Sequence, residues 1–238
     1  MSDPIDLRAE LGYGLEPGAD HYRAYVGPPR DYDLVAAMTF GLLTSLGLRQ
    51  HHRVLDIGCG SLRVGRLLIP YLLPGCYVGI EPNRWLVDEG IRRETGADQI
   101  AVKRARFVFS DSPGSLPGEE RFDFALAQSI FSHTGRDLLE AWLAAASAHL
   151  EESGALVATF LEGESDHSGT GWVYPSCVAY RRSTLDALAR QHDLGFRVLD
   201  WRHPRQSWAL FARPGFAMRW LDERSLGWNA SIASGHWD

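Results

Sequence analysis

The chain has 238 residues, 45% hydrophobic and 23% charged. That is enough apolar side chain for one domain that buries roughly 70% of its unfolded surface without a disulfide or metal staple. Its 24 Lys and Arg against 30 Asp and Glu leave a net charge of −6, which argues against a nucleic-acid partner, because a phosphate backbone calls for a basic face. Cys59, Cys76 and Cys177 form no Cys-x-x-Cys pair and leave an odd thiol under any pairing, so a reduced, cytoplasmic setting is expected. The first ten residues carry Asp3, Asp6 and Glu10 and no apolar run, unlike a signal peptide. With no stretch near the roughly 20 apolar residues of a membrane span, no membrane partner is expected either.

Residues 11–30 are rich in Gly, Pro and Tyr and cannot form one regular helix. They read as an irregular arm with aromatic anchors, so residues 1–30 form an N-terminal arm or cap. From Asp31 onward, Leu34, Val35, Met38, Leu42, Leu43 and Leu46 recur at three- and four-residue steps, which predicts an amphipathic helix stopping at Gly47. Strands and helices then alternate. Strands are predicted at 53–58, 77–80, 106–110, 122–127 and 155–161, and helices at 62–73, 83–94, 136–150 and 184–192. Residues 195–201 and 207–212 flank a turn at Pro204 and predict an antiparallel pair. The tail, 214–238, carries Trp220, Trp228 and Trp237 among polar residues and reads as an appendage or a partner-docking segment.

This alternation implies an α/β, doubly wound, mostly parallel sheet with helices on both faces and a C-terminal antiparallel hairpin. In such sheets ligands bind at the carboxyl ends of the strands. The first predicted strand runs into Asp56-Ile-Gly58-Cys59-Gly60-Ser-Leu62-Arg63, a turn that lets backbone approach a ligand closely. A dinucleotide fingerprint would place its third glycine at Arg63, and Asp56 beside the turn repels phosphate but suits an ammonium group. Glu81, followed by Pro82, ends the second strand and can accept both hydroxyl hydrogens of a ribose. The third ends at Ser110-Asp111, where a carboxylate can accept from an adenine amine, and the fourth at Gln128-Ser129-Ile-Phe-Ser-His133, a polar edge. Each piece also has a simpler explanation. The glycines could serve only the turn, Glu81 could be a solvated strand-end acid, and Cys59 could be a small packed residue.

In this order and spacing, Leu55-Asp-Ile-Gly-Cys-Gly, Gly79-Ile-Glu-Pro, Ser110-Asp111 and the segment 122–133 resemble the class I S-adenosylmethionine-dependent methyltransferase family, small-molecule type, over roughly residues 30–212. The resemblance implies a Rossmann-like seven-stranded sheet with strand seven antiparallel, a methyltransferase domain over 31–213, and S-adenosylmethionine as cofactor with no metal. It implies that Asp56, Gly58 and Gly60 frame the methionine part, Glu81 holds the ribose, Asp111 the adenine, and Gln128 the amino-acid end or its carbonyl; Cys59, Arg63, Pro82 and Ser129 are likewise expected to bind the cofactor. Leu62 departs from the family pattern, standing where many members have a third glycine.

Methyl transfer to a hydroxyl needs a base of near-neutral pKa, which points to histidine. His133 is the leading candidate and His167, in the Gly-rich loop 162–171, the second; His133 could instead cap a helix or stack on adenine. The insertion 162–181, with Trp172 and Tyr174, and the arm tyrosines Tyr13, Tyr22 and Tyr25 are expected to bind a small-molecule acceptor as a lid, or to pack on the sheet edge. The expected activity is methylation of a small organic acceptor, oxygen preferred over nitrogen, by a monomer or homodimer. The alternatives are a cofactor-binding regulatory module without transferase activity and a nicotinamide-dependent oxidoreductase.

Overall fold

The computed structural model describes residues 7–116 and 118–218, together with Leu221 and Leu226. Trp220, Trp228 and Trp237, on which the reading of the tail rests, lie outside the described residues. A single-turn helix α1 (Leu7–Glu10) begins the arm, and α2 (Tyr32–Ser45) leads into the sheet. There follow β1 (Val54–Ile57), α3 (Gly65–Tyr71), β2 (Tyr77–Ile80), α4 (Arg84–Gly90), α5 (Ala97–Lys103), β3 (Arg106–Val108) and β4 (Phe122–Ala127). The chain then continues through α6 (Arg136–His149), β5 (Leu150–Glu162), β6 (Ala179–Tyr180), α7 (Arg182–Gln191), β7 (Gly195–Leu199) and β8 (Ser207–Ala212).

The strand order is β3-β2-β1-β4-β5-β8-β7, with the two-residue β6 alongside β5. β1 pairs in parallel with β2 and β4, and β4 with β5, whereas β8 is antiparallel to both β5 and β7. The predicted antiparallel hairpin is therefore present and closes one edge of the sheet, with β8 lying between β5 and β7. β6 supplements the seven expected strands. Helix α5 escapes sequence periodicity because none of its residues is buried, so no apolar stripe marks it.

All four residues of β1 and of β2 are buried, as a sheet covered on both faces requires. Successive residues serve opposite layers. In β5, Leu156, Ala158 and Phe160 pack with Trp142, Leu143 and Leu185 of α6 and α7, while Ala155 and Val157 share the other layer with Leu42, Leu43 and Leu68 of α2 and α3. Among the described residues no helix is long and apolar enough to cross a membrane.

The arm is fastened by a largely buried ion network. Arg23 donates to Asp33 at 3.0 Å and to Glu94 at 2.8 Å, and Arg66 reaches the same two carboxylates at 2.6 and 3.2 Å. Tyr22 donates its hydroxyl hydrogen to Glu94 at 3.0 Å, and the Arg23 guanidinium lies 4.4 Å from the centre of the Tyr32 ring. Each carboxylate is shared by two guanidinia, so desolvating one charge is offset by two partners.

Gly90, at the end of α4, has no room for a β-carbon, which would overlap the backbone carbonyl of Ser61. Gly90→Ala is therefore expected to destabilise the protein by about 1–3 kcal/mol through overpacking. An open helical site would instead gain up to about 1 kcal/mol from the same change, so the sign of the shift in urea unfolding separates the two.

Candidate functional site

The strand order reverses between β1 and β4, and at the carboxyl ends beside that switch point lies a cavity of about 470 Å³. The turn after β1 shapes its floor. Gly58 (φ +68°), Gly60 (φ +54°) and Leu62 (φ +60°) are all left-handed. A β-carbon on Gly58 would overlap the Ile130 side chain, and one on Gly60 would lie 2.7 Å from Val26 Cγ1. Leu62, which departs from the glycine pattern in sequence, keeps the backbone conformation that glycine adopts readily. The strain costs about 1–2 kcal/mol, and complete burial of its side chain contributes a comparable amount. Because the left-handed run extends to Leu62, α3 starts at Gly65 and not at 62.

Glu81 follows β2 and is buried at the cavity wall. Its Oε2 accepts the Gly60 backbone N–H at 3.1 Å, and its Oε1 accepts the Asn83 backbone and side-chain N–H groups, both at 2.9 Å. Burial raises its pKa and these bonds oppose the rise. Pro82, Ser110 and Asp111 continue the wall beyond β2 and β3.

Asp56 and Cys59 take another position. Neither lines the cavity. Asp56 Oδ2 accepts the Tyr77 hydroxyl at 2.8 Å, and Cys59 Sγ stands against Gly79, where a β-carbon would come within 2.8 Å of it. The turn sits between Asp56 and the ligand space, so Asp56 braces the floor and is not the exposed ammonium partner anticipated from sequence. Burial lifts its pKa to about 7.

At the end of β4, Ser129 is left-handed (φ +59°) and its backbone N–H donates to Thr159 Oγ1 at 2.7 Å. Gln128, Ser129 and Ile130 thereby turn along the cavity. Arg63 crosses it: buried, it donates to the Val26 carbonyl at 2.7 Å and to Gln128 Oε1, tying the arm to the end of β4.

His133 lines the same cavity. Its Nδ1 lies 2.7 Å from the Ser176 carbonyl, which can only accept, so the ring proton sits on Nδ1 and the lone pair on Nε2. Burial holds its pKa below the ordinary histidine value. Trp172, Tyr174 and Tyr25 also face the cavity. The Tyr174 ring packs edge-on to His133 at 5.2 Å and tilted on Tyr25 at 5.2 Å, and its hydroxyl donates to the Tyr25 carbonyl.

Besides Asp56 and Cys59, three further expected site residues lie elsewhere. His167 sits over Gly169, bonded through its backbone N–H to the Ala179 carbonyl. Tyr22 belongs to the ion network, and Tyr13 is likewise away from the cavity. Sequence reasoning in turn missed Asn83, Cys177, Arg205 and Gln206, all of which line it. For Arg205 and Gln206 a signal existed. β7 runs parallel to β5, so the loop between the hairpin strands returns to the carboxyl edge where ligands bind. Among the described residues no cluster of His, Cys, Asp and Glu could hold a metal ion.

The folded chain keeps the Asp56 proton up to about pH 7, whereas the unfolded chain releases it near about pH 4. The folded state binds more protons in that interval, so this group makes stability fall as pH rises, by at most about 1.4 kcal/mol per pH unit, and contributes no further slope above it. Asp56→Asn, which keeps an acceptor for the Tyr77 hydroxyl, should flatten that slope. Urea unfolding of both proteins across the interval measures it, and identical slopes would contradict the assignment.

No family model and no curated protein matches the chain in sequence, but solved structures match it in fold. The magnesium protoporphyrin IX methyltransferase ChlM of Synechocystis PCC 6803, with bound SAM, superposes with a TM-score of 0.61 and 13% identity over 90% of this chain and 100% of that one. The pyocyanin biosynthetic protein PhzM gives 0.59 and 15% identity over 86% and 63%. The CcbJ methyltransferase from Streptomyces caelestis gives 0.56 and 18% over 79% and 97%. With strand order, switch point and neighbours in agreement, the chain has the fold of the S-adenosylmethionine-dependent class I methyltransferases.

Proposed function

We propose that the protein transfers a methyl group from S-adenosylmethionine to a small organic acceptor, preferring oxygen over nitrogen. One observation carries this reading. A single cavity holds the Gly58–Gly60 turn and the Glu81 and Asp111 carboxylates on one side, and on another a neutral histidine with its lone pair on Nε2. The donor set fits the cofactor: Glu81 retains acceptor capacity beyond the three bonds it makes, enough for a ribose hydroxyl, and Asp111 can accept from the adenine amine. The glycines of the turn let Ile130 and Val26 pack onto it where β-carbons would overlap them. Pro82 borders the ribose, and Gly58, Gly60, Arg63, Gln128 and Ser129 border the amino-acid end, with Asp56 and Cys59 supporting the turn from behind.

When bound, S-adenosylmethionine supplies an electrophilic methyl group on a sulfonium. The residues of the chain position the acceptor and take its proton. His133 Nε2 would accept the hydroxyl hydrogen of the acceptor. Ser176 holds the imidazole in the required tautomer. Tyr25, Trp172 and Tyr174 exclude water, with residues 162–181 and the arm closing over the acceptor as lids. His167, being outside the cavity, is left without a catalytic part in this reading. The unpaired cysteines suit a reducing, cytoplasmic compartment.

Calorimetry with S-adenosylhomocysteine is expected to show binding, and with NAD none; the reverse result would overturn the reading. Glu81→Ala should weaken S-adenosylhomocysteine by about tenfold or more, the scale of one hydrogen bond to a charged group. His133→Ala should leave that affinity unchanged while lowering turnover about 10²–10⁴-fold. Because burial lowers the pKa of His133, the acidic limb of the rate profile should have its midpoint below the ordinary value of about 6.5. The rate would rise with pH through that midpoint and level off by neutrality. An unchanged rate in His133→Ala rules this base out.

A further inference from the structure

Residues 172–178 are zipped to the turn that carries His133. Val173 donates its backbone N–H to the His133 carbonyl at 2.9 Å, Val178 donates to the Ser132 carbonyl at 2.8 Å, and Trp172 forms a β-bridge with Thr134. The same segment supplies the Ser176 carbonyl that keeps the ring proton on His133 Nδ1. The base and the rings beside it are therefore one preformed wall, and a ligand need not order them.

Flat apolar faces dominate that wall. Trp172 and Tyr174 are 39% and 37% exposed, yet both line the cavity together with Pro17 and Pro175. Large aromatic side chains left open at a cavity mark a surface for a flat apolar ligand. Residues 172–178 contain no Asp, Glu, Lys or Arg. The cavity's carboxylates, Glu81 and Asp111, follow β2 and β3, and Arg205 is already paired with Asp31. An ion held against the wall would lose its water without gaining a partner.

The base points to the same kind of ligand. Burial holds the His133 pKa below the ordinary value, so its free Nε2 is a weak base. A phenolic hydroxyl, near about 10 as in tyrosine, suits such a base. An aliphatic hydroxyl, comparable with water at about 15.7, is far harder to deprotonate. A phenol's O–H also lies in the plane of its ring, so a ring laid on fixed side chains arrives with its hydroxyl already directed, whereas an alkyl hydroxyl rotates.

We propose that the methyl acceptor is an uncharged phenol that lays its ring on Trp172 and Tyr174 and donates its hydroxyl hydrogen to His133 Nε2. This assignment rests on the methyltransferase reading and makes its acceptor specific.

Calorimetry on the protein saturated with S-adenosylhomocysteine tests binding apart from turnover. 4-Methylphenol should bind about 2- to 10-fold more tightly than 4-methylcyclohexanol, which has the same skeleton without the flat ring. 4-Propylphenol should bind about tenfold or more tightly than tyramine and 4-hydroxyphenylacetate, whose side chains end in an ammonium and a carboxylate. Trp172→Leu, which stays apolar but removes the ring, should shrink the first ratio, and Trp172→Phe should keep it. S-adenosylhomocysteine affinity should be unchanged in both variants, which also reports folding. If S-adenosylhomocysteine binds, equal or tighter binding of 4-methylcyclohexanol or of either charged ligand overturns the phenol assignment and leaves the methyltransferase reading standing. A first ratio that Trp172→Leu does not move, or no binding of either phenol, does the same. Failure of S-adenosylhomocysteine itself to bind overturns the methyltransferase reading, and the acceptor assignment with it.

Discussion

The left-handed run of Gly58, Gly60 and Leu62 is the constraint on which the site depends. A right-handed continuation from β1 would start the helix at once and carry the Gly60 N–H into its first turn. The left-handed path turns that N–H toward Glu81 instead, joining the ends of β1 and β2. It also lowers the floor, so that Ile130 from the β4 side and Val26 from the arm close in over atoms that glycine leaves out. Arg63 follows directly and leaves the turn aimed across the cavity. Leu62 shows that backbone shape, and not residue type, is what the site requires. Its full burial offsets a strain of about 1–2 kcal/mol.

Electrostatic order follows from this geometry. The chain is acidic overall, yet Asp111 and the buried Glu81 line the ends of β3 and β2, while Arg63 and Arg205 gather at the end of β4 and the β7–β8 loop. The cavity is therefore polarised along the direction in which it crosses the sheet. A ligand with hydrogen-bond donors at one end and an anion at the other suits that field. Asp56, which in sequence stands closest to the turn, adds little to it: behind the floor, burial favours its neutral form until about pH 7.

Sequence carried the sheet and the floor of the site clearly, for a physical reason. Strands buried on both faces, such as Val54–Ile57 and Tyr77–Ile80, are continuous apolar runs, and the residues that follow them stand at the switch point by topology alone. The direction of a side chain is a different matter. Asp56 and Glu81 are both acids near strand ends. Asp56 lies within β1, and its carboxylate meets Tyr77; Glu81 lies one residue beyond β2 and reaches the cavity. His133 and His167 are similarly alike in composition, but the short turn after β4 delivers His133 to the cavity, whereas the loop after β5 folds back on Ala179 and Gly169. Arg205 carries no motif of its own, and its position follows from topology alone: the crossover through α7 sets β7 parallel to β5, so the hairpin loop lies at the ligand edge.

The arm shows how residues distant in sequence come to enclose one end of the cavity. Arg23 and Tyr22 anchor it on Asp33 and Glu94, well outside the cavity, and Arg63 anchors it again through Val26. Between these points Tyr25 is held against Trp85 and Tyr174. The insertion after β5 is fixed separately, by Asp166 accepting from the Arg181 backbone and guanidinium and from the Thr184 hydroxyl. Two independently anchored segments thus meet chiefly through the Tyr174–Tyr25 ring contact and the hydrogen bond from Tyr174 to the Tyr25 carbonyl. That seam is weaker than either anchor, because a ring contact and a neutral hydrogen bond are each worth about 1 kcal/mol, whereas the anchors are multiple charge-assisted bonds. The two segments therefore separate most easily at the seam, beside His133.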